Sequence, residues 1–224
     1  RNILVNGEVP YDDLYAVSLN RVYTAAEKER QRDEMGNELR PVQIEAPRFE
    51  TVTLSGSLFN VSEPLAVYLK EGKNTLRLEA VREPMALDSI RFYQKKDEAS
   101  YAQVSKGYTA GKAAETIHIE GEDAVFTSDK TLYATSDNSS PLNSPVSGSQ
   151  IRMNMMGGIN WRSPRQYIEW AFHVPEDGLY SIVIRGKQDY NPGQISSRRL
   201  TIDGEVPFYE ANRLEFPYAL GFQN

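Results

Sequence analysis

The chain has no cysteine, and only two histidines and two tryptophans, in 224 residues. Without cysteine there is no disulfide framework and no thiolate zinc site. That fits a cytosolic protein, and equally a secreted bacterial protein that does without disulfides. The histidines, His118 and His173, have no serine or cysteine partner in a nucleophile motif, so no triad is indicated. Phosphate-loop, HExxH and dinucleotide signatures are also missing. No apolar run approaches the ~20 residues of a membrane span. Positive charge is in short supply, with 25 Lys and Arg against 31 Asp and Glu and a net charge of −6. That balance argues against nucleic acid or an anionic membrane as partner. Tyrosine, by contrast, occurs 13 times, which favours aromatic platforms over imidazole chemistry.

A hexapeptide occurs twice. Asn6-Gly7-Glu8-Val9-Pro10-Tyr11 returns as Asp203-Gly204-Glu205-Val206-Pro207-Phe208, 197 positions later. Arg1, Ile3 and Asp13 match Arg198, Leu200 and Glu210 at the same offset. The repeat predicts a tandem module, with the chain entering part-way through one copy and leaving part-way through the next. Residues 1–95 then read as the closing half of one copy, 96–116 as a linker, and 117–224 as the opening half of the second.

Strand patterns dominate. Ile168, Trp170, Phe172 and Val174 alternate with Tyr167, Glu169, Ala171 and His173, the period of a half-buried strand. Pro175 to Gly178 supplies a turn, and Tyr180, Ile182 and Ile184 resume the alternation, predicting an antiparallel pair. Further strands are expected over 117–126, 151–155 and 198–208. Val67–Leu69 and Leu76–Ala80 read as another hairpin, and Ile90 and Phe92 as one more strand. Asn-Gly and Asp-Gly at the repeat are the strongest tight-hairpin signals. Helix is scarce. Thr24 to Met35 has a capping box and a terminating glycine, and reads as a helix or a solvated excursion. Ser100 to Ala114 puts Tyr101, Val104 and Tyr108 on one helical face. Residues 136–150, rich in Ser, Asn and Pro, read as a long loop. The fold class expected is all-β, an antiparallel sandwich of jelly-roll type with little helix.

Several stretches resemble carbohydrate-binding modules of families six and thirty-five, which are galactose-binding-domain-like. Ile117-His118-Ile119-Glu120-Gly121-Glu122-Asp123-Ala124 is similar to their opening strand, and Phe172 to Tyr180 to their second strand pair. Leu69 to Leu78 and Leu87-Asp88-Ser89-Ile90 look like their closing strands. The Gly157-Gly158-Ile159-Asn160-Trp161 loop, the DGEVPF hairpin and Phe216-Pro217-Tyr218 resemble modules attached to solute-binding proteins of Gram-positive ABC importers. Two departures stand out: the closing half precedes the opening half, and residues 24–39 have no counterpart in a minimal module.

Glu120 and Glu122, two apart on an expected strand, would project from one face. Such a pair suits Ca²⁺ or is simply a solvated acidic face. The resemblance implies a structural calcium there, with Asp88 as a further ligand. Trp161 sits in a glycine loop where its indole could stack on a pyranose ring or plug the sandwich end. Asn160, Arg162, Tyr190, Asn191 and Tyr133 could bond sugar hydroxyls. The resulting expectation is a non-catalytic carbohydrate-binding module of a larger secreted or cell-surface bacterial protein, of Gram-positive type. Its partner would be an oligo- or polysaccharide, in glycan capture or import. A docking module without a sugar site is the first alternative, and a glycosidase or polysaccharide lyase fragment the second. Open half-modules further predict that 117–224 packs against 1–95 of the same or a neighbouring chain, by complementation or self-association.

Overall fold

A computed structural model describes residues 2–15, 17, 19–56, 64–95, 97–108 and 116–221. The chain is all-β, built from short antiparallel strands with little helix. It divides into two compact units. One holds residues 1–20 and 48–97, the other residues 21–47 and 98–224.

In the first unit, β1 (Asn2–Val5) pairs antiparallel with the strand Leu76–Glu79, in the register Ile3↔Leu78 and Val5↔Leu76. The expected local hairpin between 67–69 and 76–80 is therefore not made. Gly72 does turn the chain, and the Asn74 side chain closes that turn by donating to the Lys70 and Gly72 carbonyls at 2.7 and 3.2 Å. The strand it launches then finds β1 as its partner. Ile3, Leu14 and Val17 are buried, with Val9, Leu54, Leu65, Val67 and Leu76 packed on them. Each fully buried aliphatic side chain contributes about 1.5–3 kcal/mol. Ile90 and Phe92 are exposed and outside any strand.

In the second unit, β2 (Tyr23–Ala25) and β3 (Gln43–Glu45) join β5 (Phe126–Thr127) and β6 (Ile168–Glu169) in the order β3-β2-β5-β6. The strand Leu76–Glu79 is β4. A separate pair, β7 (Ile195–Arg198) and β8 (Leu214–Pro217), completes the strands. Leu132, Ala134, Met153, Val22 and Ala211 are its buried apolar residues.

Residues 24–35 are not helical. Thr24 and Ala25 lie in β2, and the chain then folds back through the Arg32↔Glu38 bridge. Residues 26–35 are largely exposed, in line with a solvated excursion, and the chain is tied down just after them. Glu38 is buried, accepts the Met153 amide at 2.8 Å, and donates its own amide to the Ile151 carbonyl at 3.0 Å. The Ile151 amide donates to Asn37 Oδ1 at 2.9 Å, and Arg152 donates to the Gly36 carbonyl at 2.7 Å. These bonds to 150–153 outweigh weak local helix propensity, because buried polar groups must be satisfied somewhere.

Two other expectations change. α1 spans only Tyr101–Val104, capped by Ser100 and Gln103, and passes into a single 3-10 turn over Ser105–Gly107. The remainder of the expected helix, 109–114, lies outside the described residues. Of the long pair expected around Pro175 to Gly178, only Ile168–Glu169 enters a sheet. Residues 171–174 and 179–185 carry no ladder among the described residues. There the Tyr180 hydroxyl donates to the Glu176 carbonyl, so a side chain closes the bend. The 136–150 loop is tied down by Asn154, just beyond it. Asn154 accepts the Asp137 amide at 2.8 Å and donates to the Asp137 and Pro145 carbonyls at 3.1 and 2.9 Å.

The repeated hexapeptide folds the same way twice. Asn6 and Gly7 have φ of 52° and 89°, and Asp203 and Gly204 have 52° and 83°. Two successive positive φ values define the type I′ turn that matches strand twist. Val5↔Glu8 and Ile202↔Glu205 bridge across the two turns. A 3-10 turn follows each, Asp12–Leu14 and Tyr209–Asn212.

Candidate functional site: the Trp161 loop

Gly157 and Gly158 (φ 91° and 64°) bend the backbone into a 3-10 turn, Gly158–Asn160, that delivers Trp161. They are also where two aromatic side chains press closest. A Cβ on Gly157 would stand 3.1 Å from Trp161 Cε3, and one on Gly158 would stand 3.1 Å from the Tyr190 hydroxyl. Only glycine meets both demands, the left-handed backbone and the missing side chain. The loop carrying Tyr190 therefore rests on the loop carrying Trp161.

Trp161 is half-buried. Its indole N–H donates to the Gln166 carbonyl at 3.2 Å. The Arg198 guanidinium lies 4.2 Å from the ring centroid and also donates to the Trp161 carbonyl at 2.7 Å. Desolvation there pulls the Arg198 pKa down from its ordinary value. Gln166 is the hub of the loop. Its Oε1 accepts the Arg162 and Ser163 amides, both at 2.9 Å, and its Nε2 donates to Asp129 Oδ2 at 3.3 Å. Burial works to raise the Asp129 pKa, but hydrogen bonds from Thr131 and Gln166 outweigh it and hold that carboxylate low.

The other candidates are arranged around this pair. Asn160 donates to the Thr131 carbonyl at 3.3 Å, and the Arg162 side chain is exposed. Tyr190 is 40% exposed, and burial of the rest raises its pKa, so the phenol keeps its proton. The Asn191 amide donates to Gln188 Oε1 at 3.3 Å. Tyr133 lies apart from them under the Arg40 guanidinium, 3.9 Å from its ring centroid. Lys187 anchors the Tyr190 segment through Asp137 at 2.5 Å and Asp189 at 3.3 Å. Sequence reasoning missed Arg198 and Gln166. Arg198 comes from the end of β7, a non-local approach with no local signal, whereas Gln166, just after Ser163-Pro164, sits where a turn-closing amide could be sought.

The acidic pair does not share a strand face. Residues 117–120 form no ladder, and Gly121–Asp123 is a 3-10 turn, so the alternation needed to aim Glu120 and Glu122 together is lost. Glu120 faces His118 at 3.1 Å, whereas Glu122 is buried and its Oε2 has no hydrogen-bond partner among the described residues. Arg30 stands beside them, bonded to Asp123 at 2.8 Å and to the Glu122 carbonyl at 3.3 Å. Asp88 is exposed and belongs to the first unit. Arg30 is thus a cationic neighbour of the acidic pair, and among the described residues no group of three or more His, Asp or Glu is placed to hold a metal ion. Trp170, half-buried, donates its indole N–H to the Gly121 carbonyl at 2.9 Å and so braces the same turn.

Two broad open depressions lie elsewhere in the second unit. One is lined by Lys28, Glu29, Arg30, Arg32 and Glu38, and the other includes Thr24, Val125, Phe126 and Ala171. Neither includes Trp161. Compared with known proteins, the chain matches no family model, no curated protein and no solved structure.

Proposed function

We propose that this chain is a non-catalytic, carbohydrate-binding-type β module, with a shallow polysaccharide face built from Trp161, Asn160, Arg162, Tyr190 and Asn191. The observation that supports it is the seating of Tyr190 on Gly158, which unites two aromatic-bearing loops into one surface. A phenol, two carboxamides and an exposed guanidinium beside a half-exposed indole offer the mixed apolar and hydrogen-bonding surface that sugars require. On this reading the protein works at the cell surface or outside the cell, as part of a larger bacterial glycan-capture system with a jelly-roll sandwich as its complete module.

The test is titration of intrinsic tryptophan fluorescence with a panel of plant, fungal and bacterial oligosaccharides. Saturable change is expected with at least one. Trp161→Ala should weaken that binding more than about tenfold, as loss of an aromatic anchor does. Absence of binding across the panel would favour a docking module. One observation already points that way: Arg198 is stacked on the Trp161 ring and Gln166 satisfies its N–H, so the indole has internal partners.

A further inference from the structure

The two copies of the hairpin differ in what lies along their outer edge. In the first copy the Asn6 amide donates to the Thr75 carbonyl at 2.9 Å, while Val5 faces inward to Glu8. Backbone groups alternate sides along a strand, so Asn2, Leu4 and Asn6 address β4. Asn6 Oδ1 also accepts the Thr75 amide at 2.9 Å, capping the junction.

The second copy repeats this phase with the outer side open. The Leu200 amide donates inward to Ala211 and the Ile202 amide to Glu205, both at 2.8 Å. Arg199, Thr201 and Asp203, the equivalents of Asn2, Leu4 and Asn6, are exposed, and no backbone bond to their amides or carbonyls is made among the described residues. The apolar face shows the same vacancy. Val5 is 8% exposed and its equivalent Ile202 is 38% exposed, while Ile3 is buried and Leu200 only half-buried.

We propose that residues 199–203 accept an added antiparallel strand with the sequence pattern of β4, supplied from outside residues 1–224. The chain's own β4 is committed to β1, and the repeat itself defines what fits. Transferring the observed register puts Glu79 of the incoming strand opposite Arg199, Leu78 opposite Leu200, Arg77 opposite Thr201 and Leu76 opposite Ile202. Both leucines then cover the exposed apolar pair, and Glu79 meets a cation where the first copy offers Asn2. An opposite-charge pair across strands favours that register. Asp203 supplies the same Oδ acceptor as Asn6 for the Thr75 amide. Strand addition of this kind draws affinity from main-chain bonds and specificity from alternate side chains.

The probe is a fluorescent synthetic peptide of residues 69–80, titrated into the full chain and followed by anisotropy and amide hydrogen exchange. Saturable binding is expected, with new protection at Arg199, Thr201 and Asp203. Thr201→Pro, which removes an edge N–H, should abolish binding, and Asp203→Ala should weaken it about tenfold while Asp203→Asn retains it. Should Thr201→Pro disturb folding, charge exchange decides instead. Arg199→Glu should weaken the native peptide, and a Glu79→Lys peptide should restore binding to that variant. No saturable binding at millimolar peptide, protection confined to residues 2–6, or failure of the charge exchange would overturn the proposal. Protection that rises with concentration of the chain alone would also overturn it, assigning the edge to a whole second copy.

Discussion

Lys187 and Asp137 meet at 2.5 Å with both side chains almost fully buried, and the lysine also reaches Asp189 at 3.3 Å. This contact ties the Tyr190 segment to the 136–150 loop. Burial opposes both charges, but the hydrogen bonds between them prevail, so the Lys187 pKa is raised and that of Asp137 lowered.

Lys187→Met should therefore cost about 3–5 kcal/mol, because it leaves a carboxylate buried without its cation. Adding Asp137→Asn should recover part of the loss, which denaturant unfolding of the single and double variants would measure. The pH dependence follows from the directions of the shifts. The depressed Asp137 contributes stability above its ordinary value of 3.8, lost as pH falls through its lower folded value. The raised Lys187 contributes stability below its ordinary 10.5, lost as pH rises through its higher folded value. A Lys187→Met protein with unchanged melting temperature would show the pair to be idle.

Glu122 works the other way. Burial is the main cause raising its pKa from 4.5 to about 7, against its backbone hydrogen bond and Arg30, with Glu120 and Asp123 adding to the rise. Between those values the folded state holds a proton that the unfolded chain has released, so stability falls as pH rises from about 4.5 to 7 and levels off above. The full difference is at most about 3 kcal/mol. Glu122→Gln should raise the melting temperature at pH 8, leave it nearly unchanged at pH 4, and flatten the slope between.

The indole of Trp161 should report the presence of Arg198. Arg198→Ala removes a cation–π contact and a charged hydrogen bond, together about 1–3 kcal/mol. Acrylamide quenching of tryptophan emission should increase in that variant, since the ring loses its cover. Trp170 provides a constant background through its bond to Gly121. Unaltered quenching would place the guanidinium away from the ring in solution.

Gly158→Ala should destabilise by about 1–2 kcal/mol, combining a positive φ with the 3.1 Å approach of the Tyr190 hydroxyl. Tyr190→Phe removes that hydroxyl. In a double-mutant cycle it should return the steric part of the loss and leave the backbone part, so the two changes are non-additive. Strict additivity would separate the two loops.

The parts legible in the sequence are those decided within a few residues. Asn6-Gly7 and Asp203-Gly204 announce their turns because few other dipeptides accept two positive φ values. Gly157 and Gly158 marked a sharp bend for the same reason. What was hidden depends on distant partners. Thr24 to Met35 carries a helix-like cap, yet the Met35 and Gly36 carbonyls and the Glu38 carboxylate at its far end are claimed by residues 150–153, and nothing local signals that. The alternation over 179–184 was genuine, but Tyr180 closes the neighbouring bend with its side chain. The acidic pair at Glu120 and Glu122 read as a strand face, and the 3-10 turn that separates them is braced by Trp170, far along the chain.

The chain passes between its two units at residues 20–21, 47–48 and 97–98, so neither unit is a continuous stretch. On a ribosome, Tyr23 emerges roughly a hundred residues before its sheet partner Thr127, a delay on the order of 5–20 s at ordinary elongation rates. During that interval β2 and β3 can form only a two-stranded ribbon, which is marginal by itself in water. Any truncation at the expected linker would produce a fragment of 98–224 without half of its four-stranded sheet. Engineering of this protein must therefore move residues 21–47 together with the C-terminal segment, by permutation or grafting, rather than by a single cut.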